Sequence, residues 1–283
     1  MPGTNNQASL LATHINLNGE LGMRSLLVSA TAAALMAAVN TAALAQVKQV
    51  PYPAVKVKLA EAYLPDAAFQ KMQISFAQAS AAKDTQALLS LVGPTFLWMS
   101  RGELNDQFNF GRGAVDNFTA VFGFAESENT TGGVAANGPL WDILAAFAAD
   151  KSFYTATDTL VCGPTSATIV DDDEFNSAKK KISADASVEW YFTVADTPAT
   201  STPTDAGSPV GQVSQVALPV LSVFPQAKDG QPKPPATHLQ VLLPSGKIGW
   251  IPIAAAFPLV TDRLCYAVTS DGSWKFAAFD QAE

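Results

Sequence analysis

Apolar positions follow three different spacings along this chain. The first is a continuous run, Leu26, Leu27, Val28, Ala30 and Ala32 to Val39, with no charge inside it. The second has helical spacing. Behind a capping Asp66, the residues Phe69, Met72, Phe76 and Ala79 recur on one face. A second helix is predicted from Asp84 through Leu88, Leu89 and Val92, ending at Gly93-Pro94, where proline cannot continue it. Thr95 to Met99 reads as a strand or extended core segment. Phe118, Val121, Phe122 and Phe124 suggest another helix, and residues 126–138 form a polar, glycine-rich loop. Pro139 then suits the first turn of a helix holding Leu140, Trp141, Leu144 and Phe147.

The third spacing begins after Tyr154, where β-branched residues alternate between turn signals. Strands are predicted over 188–194, 211–216, 219–224, 238–243 and 247–252. Ala195 to Pro209 reads as a surface loop, and Pro244-Ser245-Gly246 as a tight turn. Short strands at this spacing imply a small barrel. Residues 262–279 fit an added terminal hairpin turning at Asp271-Gly272, able to pair near Cys162. The run Asp171 to Glu174 followed by Lys179 to Lys181 reads as a charged helix. It lacks the alternate ligand positions and bend glycine of a calcium loop. The expected fold class is therefore α+β. An extended leader (46–59) and a mainly helical domain (60–153) precede a small C-terminal β-barrel with its terminal hairpin (154–283).

The first apolar run has the makings of an export signal. Arg24 precedes it, and Ala43-Leu44-Ala45 supplies the small-x-small pattern cut between Ala45 and Gln46. Met23 is then the initiator of a signal peptide over 23–45, and residues 1–22 are an upstream extension. A retained anchor is the competing reading, but the run of about 14 residues falls short of the roughly 20 that cross a bilayer. The expectation is a periplasmic or secreted product with no stable membrane insertion.

Charge narrows the partners. Cleavage removes one of 17 cations, Arg24, and one of 25 anions, Glu20, leaving 16 against 24 and an unchanged net charge of −8. Such a chain repels nucleic acid, whose binding depends on Lys and Arg neutralising phosphate. The two cysteines, Cys162 and Cys265, both follow the signal. In an oxidising compartment a disulfide between them is the first expectation, with two free buried thiols as the alternative.

The strands carry a resemblance. Val210-Gly211-Gln212-Val213, Val220-Leu221-Ser222-Val223 and Leu239 to Leu243, then Ser245-Gly246-Lys247-Ile248-Gly249-Trp250-Ile251, resemble a bacterial Src-homology-3-like domain over Val188 to Leu259, about a quarter of the chain. What that resemblance implies is binding to cell-wall peptidoglycan or an envelope protein, with Trp250 and Tyr191 as the contact surface. A second stretch, Ala81 to Leu89 and on through Trp98, is similar to the opening helices of the nuclear-transport-factor-2-like superfamily. That similarity implies a small-molecule binder or enzyme with a pocket in the helical region.

Candidate chemistry is sparse. His238 is the one histidine after the signal, so no Ser-His or Cys-His pair can be assembled elsewhere. One histidine and two distant cysteines do not make a zinc centre. Glu103, Asp106 and Asp142 are candidates for a carboxylate pair, but nothing in the sequence brings any two together. Gly111-Arg112-Gly113 lacks the lysine of a phosphate loop. Neither an enzyme nor a cofactor is expected, and the reading is a non-catalytic recognition protein of the bacterial cell envelope.

Overall fold

The structure is a computed structural model that describes residues 47–124, 140–204, 207–226 and 234–282. The chain separates into two units, Met1–Ala42 and Ala43–Glu283. The signal segment 23–45, the Ala45–Gln46 junction, the 126–138 loop and Pro139 lie outside the described residues.

In chain order the second unit runs β1 (Val57–Leu59), α1 (Ala67–Ala82), α2 (Thr85–Leu89), β2 (Val92–Ser100), β3 (Glu103–Leu104), α3 (Ala114–Val121) and α4 (Trp141–Ala149). There follow β4 (Tyr154–Thr157), β5 (Leu160–Gly163), β6 (Ala167–Ile169), α5 (Asp172–Ile182), β7 (Trp190–Thr193), β8 (Thr197–Thr200) and β9 (Pro209–Val213). The last strands are β10 (Leu218–Phe224), β11 (His238–Leu242), β12 (Ile248–Pro252), β13 (Ala256–Pro258), β14 (Arg263–Val268) and β15 (Trp274–Gln281).

The predicted Asp66 cap is in place, and Asp84 and Asp171 cap the helix starts expected beside them. Asp66 accepts the Phe69 amide at 2.7 Å, Asp84 the Ala87 amide at 2.9 Å and Asp171 the Glu174 amide at 2.9 Å, each satisfying a donor that the first helical turn leaves free. The second helix, however, ends at Leu89, and Gly93 and Pro94 belong to β2. Pairing of β2 with β15 is irregular between the Val92 and Leu97 registers, where Pro94 has no N–H to contribute.

The helices do not form an N-terminal domain of their own. They cover one face of a six-stranded sheet in the order β3-β2-β15-β14-β5-β4, whose central strands come from the end of the chain. β15 lies parallel to β2, with Phe279 beside Trp98, and antiparallel to β14. Phe96, Trp98, Leu264, Tyr266, Phe276 and Phe279 from the sheet close on Phe69, Met72, Phe76, Phe118, Phe122 and Leu144 from the helical segment. Helical periodicity reports which face of a helix is apolar, not what covers it. Here the cover is a sheet that the first half of the chain cannot build alone.

The expected small barrel is also corrected. Strands β13-β7-β10-β11-β12-β8-β9 form a seven-stranded sheet, larger than a small Src-homology-3 barrel, and the 262–279 hairpin leaves it to complete the other sheet. The stretch Ala195 to Pro209, expected as a loop, contains β8. Its Pro198 sits in a strand that pairs with only one residue of β12, so the missing N–H costs little. The sheet curls until Thr193 Oγ1 donates to the Val213 carbonyl at 3.4 Å and the Gln215 amide to the Thr193 carbonyl at 3.0 Å. Val213, Leu218, Leu239, Val241 and Ile251 fill its inside. Its outer face buries Trp190, Phe192 and Leu242 against α5 and the leader residues Tyr52, Val55 and Val57.

Candidate functional site

The β11–β12 hairpin lies within the seven-stranded sheet and pairs over five residues of each strand. Leu243 and Gly246 close its turn with a 2.8 Å backbone bond, and Gly246 takes φ +81°, a left-handed conformation that glycine adopts without strain. Alternation then sorts the side chains. Leu239, Val241 and Ile251 point into the curled sheet, so Gln240 and Trp250 point outward. The register sets Ser222 opposite Gln240, Gln240 opposite Trp250, and Trp250 opposite Thr200. With neighbouring strands about 4.8 Å apart, this row crosses four strands and spans about 14 Å.

Every member of the row is uncharged. The Ser222 hydroxyl donates to Gln240 Oε1 at 3.0 Å, which fixes the amide and leaves its Nε2 donor without a partner among the described residues. Thr200 Oγ1 donates to the Thr202 carbonyl at 2.8 Å. The Trp250 indole is half-buried, and Phe224, 38 % exposed, stands edge-on to it with ring centroids 6.1 Å apart and planes at 79°. The result is an aromatic ledge, Trp250 with Phe224 standing edge-on beside it, flanked by an amide and two hydroxyls.

Comparison with family models, with curated proteins and with solved structures finds no match for the chain.

Tyr191 lies away from this ledge. It packs against the inside of the curled sheet, and burial, assisted by Glu189, pushes its phenol above the ordinary range. Trp250 and Tyr191 therefore occupy opposite faces, and the contact surface implied for the pair divides, with only Trp250 on the outer ledge. Ser222, Gln240, Thr200 and Phe224 had no part in the sequence-based site. The signal for Gln240 was present, since it stands between core residues Leu239 and Val241.

A second polar group surrounds the disulfide. Cys162 and Cys265 are directly opposed on β5 and β14, bonded to each other and buried. Nearby, Arg263 Nη1 donates to Asp280 Oδ2 at 3.3 Å, Asp280 Oδ1 accepts the Gly102 amide at 2.9 Å, and Asp262 accepts the Ala282 amide at 2.8 Å. Desolvation raises the Asp262 carboxyl above its usual range and Asp280 adds to that, while the Ala282 N–H pulls it back. Burial raises the Tyr154 phenol, against the pull of Arg263. These bonds fasten the end of β15 to the β2–β3 turn and to the segment leading into β14.

A third cluster is interior. Asp150 Oδ1 accepts Ser152 Oγ at 2.6 Å and the Ser152 amide at 3.1 Å, and Ser152 Oγ accepts the Thr165 amide at 3.1 Å. Asp150 Oδ2 and both polar atoms of the Gln73 amide are buried without a well-formed hydrogen bond. Desolvation is the largest influence on Asp150 and raises its carboxyl, against the Ser152 bonds. Burial likewise drives the enclosed Tyr266 phenol up; Gln73 opposes this and Asp150 adds to it.

The remaining candidates scatter. Glu103 and Asp106 line one shallow surface cleft, while Asp142 sits in the first turn of α4. His238 pairs across strands with Phe224 and Pro252, its Nδ1 3.1 Å from the Thr237 hydroxyl. Phe69 and Phe147 are part of a packed aromatic core. Among the described residues no three His, Cys, Asp or Glu side chains are grouped to hold a metal. Among them, too, no helix is long and apolar enough to cross a membrane.

Proposed function

We propose that the chain is an exported recognition protein of the bacterial cell envelope, periplasmic or secreted, that binds the glycan of peptidoglycan through the Trp250 ledge. The observation that carries this reading is the uncharged, half-buried row Ser222, Gln240, Trp250 and Thr200 on one sheet face. A sugar ring offers C–H groups to an indole face and hydroxyls to flanking amides, and an aromatic side chain with adjacent polar groups matches both. A neutral ledge also suits a neutral glycan on a chain of net charge −8.

Two further observations support the compartment. The 23–45 segment has the composition of an export signal, and the Cys162–Cys265 disulfide is compatible with an oxidising environment.

The test is co-sedimentation of purified protein with isolated sacculi. Wild type should sediment, and Trp250→Ala should bind at least about tenfold more weakly, the effect of losing a single well-placed aromatic contact. Absence of wild-type sedimentation, or undiminished sedimentation of W250A, overturns the reading. Crosslinking in living cells that captures an envelope protein at Trp250 would reassign the ledge to that partner.

A further inference from the structure

The geometry points to a second binding site, for a free amino acid with an apolar side chain, in the cleft between α1 and the β14–β15 turn. The cleft is open, has a volume of about 320 Å³, and is bounded by Lys71, Met72 and Ser75 on one side and by Asp271 to Lys275 on the other. Its apolar wall is Trp274, whose indole is braced by Phe69 at 5.0 Å and 89° and by Tyr63 at 5.7 Å. Met72 and Leu91 extend that wall.

Opposite charges are set around it. Lys71 is exposed on α1, and Lys275 on β15 is held in place by donating to the Ser90 carbonyl at 2.8 Å. Asp271 lies at the turn. Its Oδ1 accepts the Thr269 hydroxyl, the Ser273 amide at 3.0 Å and the Ser273 hydroxyl at 2.8 Å. These bonds hold its carboxyl down at about 2, so it stays ionised at any pH the envelope meets. Two cations and one fixed anion around an apolar wall complement a molecule carrying both a carboxylate and an ammonium. The carboxylate goes to the lysines, the ammonium to Asp271 and the side chain to Trp274. A plain anion would leave Asp271 opposing it, and a plain cation would meet both lysines.

Calorimetric titration of the full chain tests this with L-phenylalanine, N-acetyl-L-phenylalanine and phenethylamine. Phenylalanine should bind saturably, with each analogue, lacking one charge, at least about tenfold weaker. Lys71→Gln and Asp271→Asn change exposed side chains, so the fold should persist by circular dichroism while phenylalanine affinity falls. Trp250→Ala should bind phenylalanine like wild type, which separates this site from the glycan ledge. The inference is overturned by absence of saturable binding, by equal binding of the acetylated analogue, or by wild-type affinity in both K71Q and D271N.

Discussion

Asp150 makes part of the chain's stability depend on pH. Its Oδ2 lies where a Cβ on residue 163 would approach to 2.7 Å, so only glycine fits there, and Gly163 adjoins the bridged Cys162. Because desolvation raises the folded-state carboxyl above its unfolded value, the folded chain keeps a proton that the unfolded chain has released. The stabilisation is complete below the unfolded value and is lost as pH rises through the folded one. Denaturant titrations from about pH 4 upward should therefore show this contribution declining with rising pH, and Asp150→Asn should flatten that component. An unchanged slope in D150N would refute the assignment. Gly246 is a second sensitive residue. A Cβ there would stand 2.7 Å from the Pro51 nitrogen, in addition to the left-handed φ of +81°. Gly246→Ala should destabilise by at least about 1 to 2 kcal/mol from the backbone conformation alone, read as a lower denaturation midpoint. Of the two glycines, Gly246 was visible in the sequence as part of a tight turn, and Gly163 carried no assigned role. The atoms that make them irreplaceable come from Asp150, Val50 and Pro51, and neither pair is predictable from spacing.

Among the elements, helices were the more legible because their caps are local. Asp66, Asp84 and Asp171 each stand immediately before a helix, and each accepts the amide three residues on. Removing the best-formed of these, Asp66→Ala, should cost about 1 kcal/mol, since it orphans the Phe69 amide at the start of α1. Thermal melting of D66A against wild type measures it, and a Tm equal to wild type would contradict the role. The turn at Asp271-Gly272 was equally local: Gly272 takes φ +80° and the two flanking strands pair as a hairpin. β8 was missed because Thr197-Pro198-Ala199-Thr200 has the composition of a loop. Its strand character comes from β9 and β12 on either side. The ledge was half legible for the same reason. Trp250 stood out by type and Gln240 by its place between core residues, whereas Ser222 and Thr200 join them only through the register of three strand pairs.

Across the whole molecule, the disulfide and β15 decide the architecture. The bridge closes a 103-residue separation and ties β5, one strand in from the edge of the six-stranded sheet, to the central β14. In chain-entropy terms a loop of that length is worth about 4 to 5 kcal/mol. The double variant Cys162→Ser/Cys265→Ser should lose stability of that order in guanidinium unfolding, and a loss below about 1 kcal/mol would assign the bridge a minor part. Sequence alone determined the export-like run, the acidic charge, the helix starts, the main turns and the alternation of β10, β11 and β12, because each depends on residues a few positions apart. The tertiary structure decided that the N-terminal helices rest on strands from the chain's end, that the β part is a seven-stranded sheet, and that Trp250 and Tyr191 face opposite ways. Those outcomes depend on which apolar face meets which, and a period of 2 or 3.6 specifies a face without naming its partner.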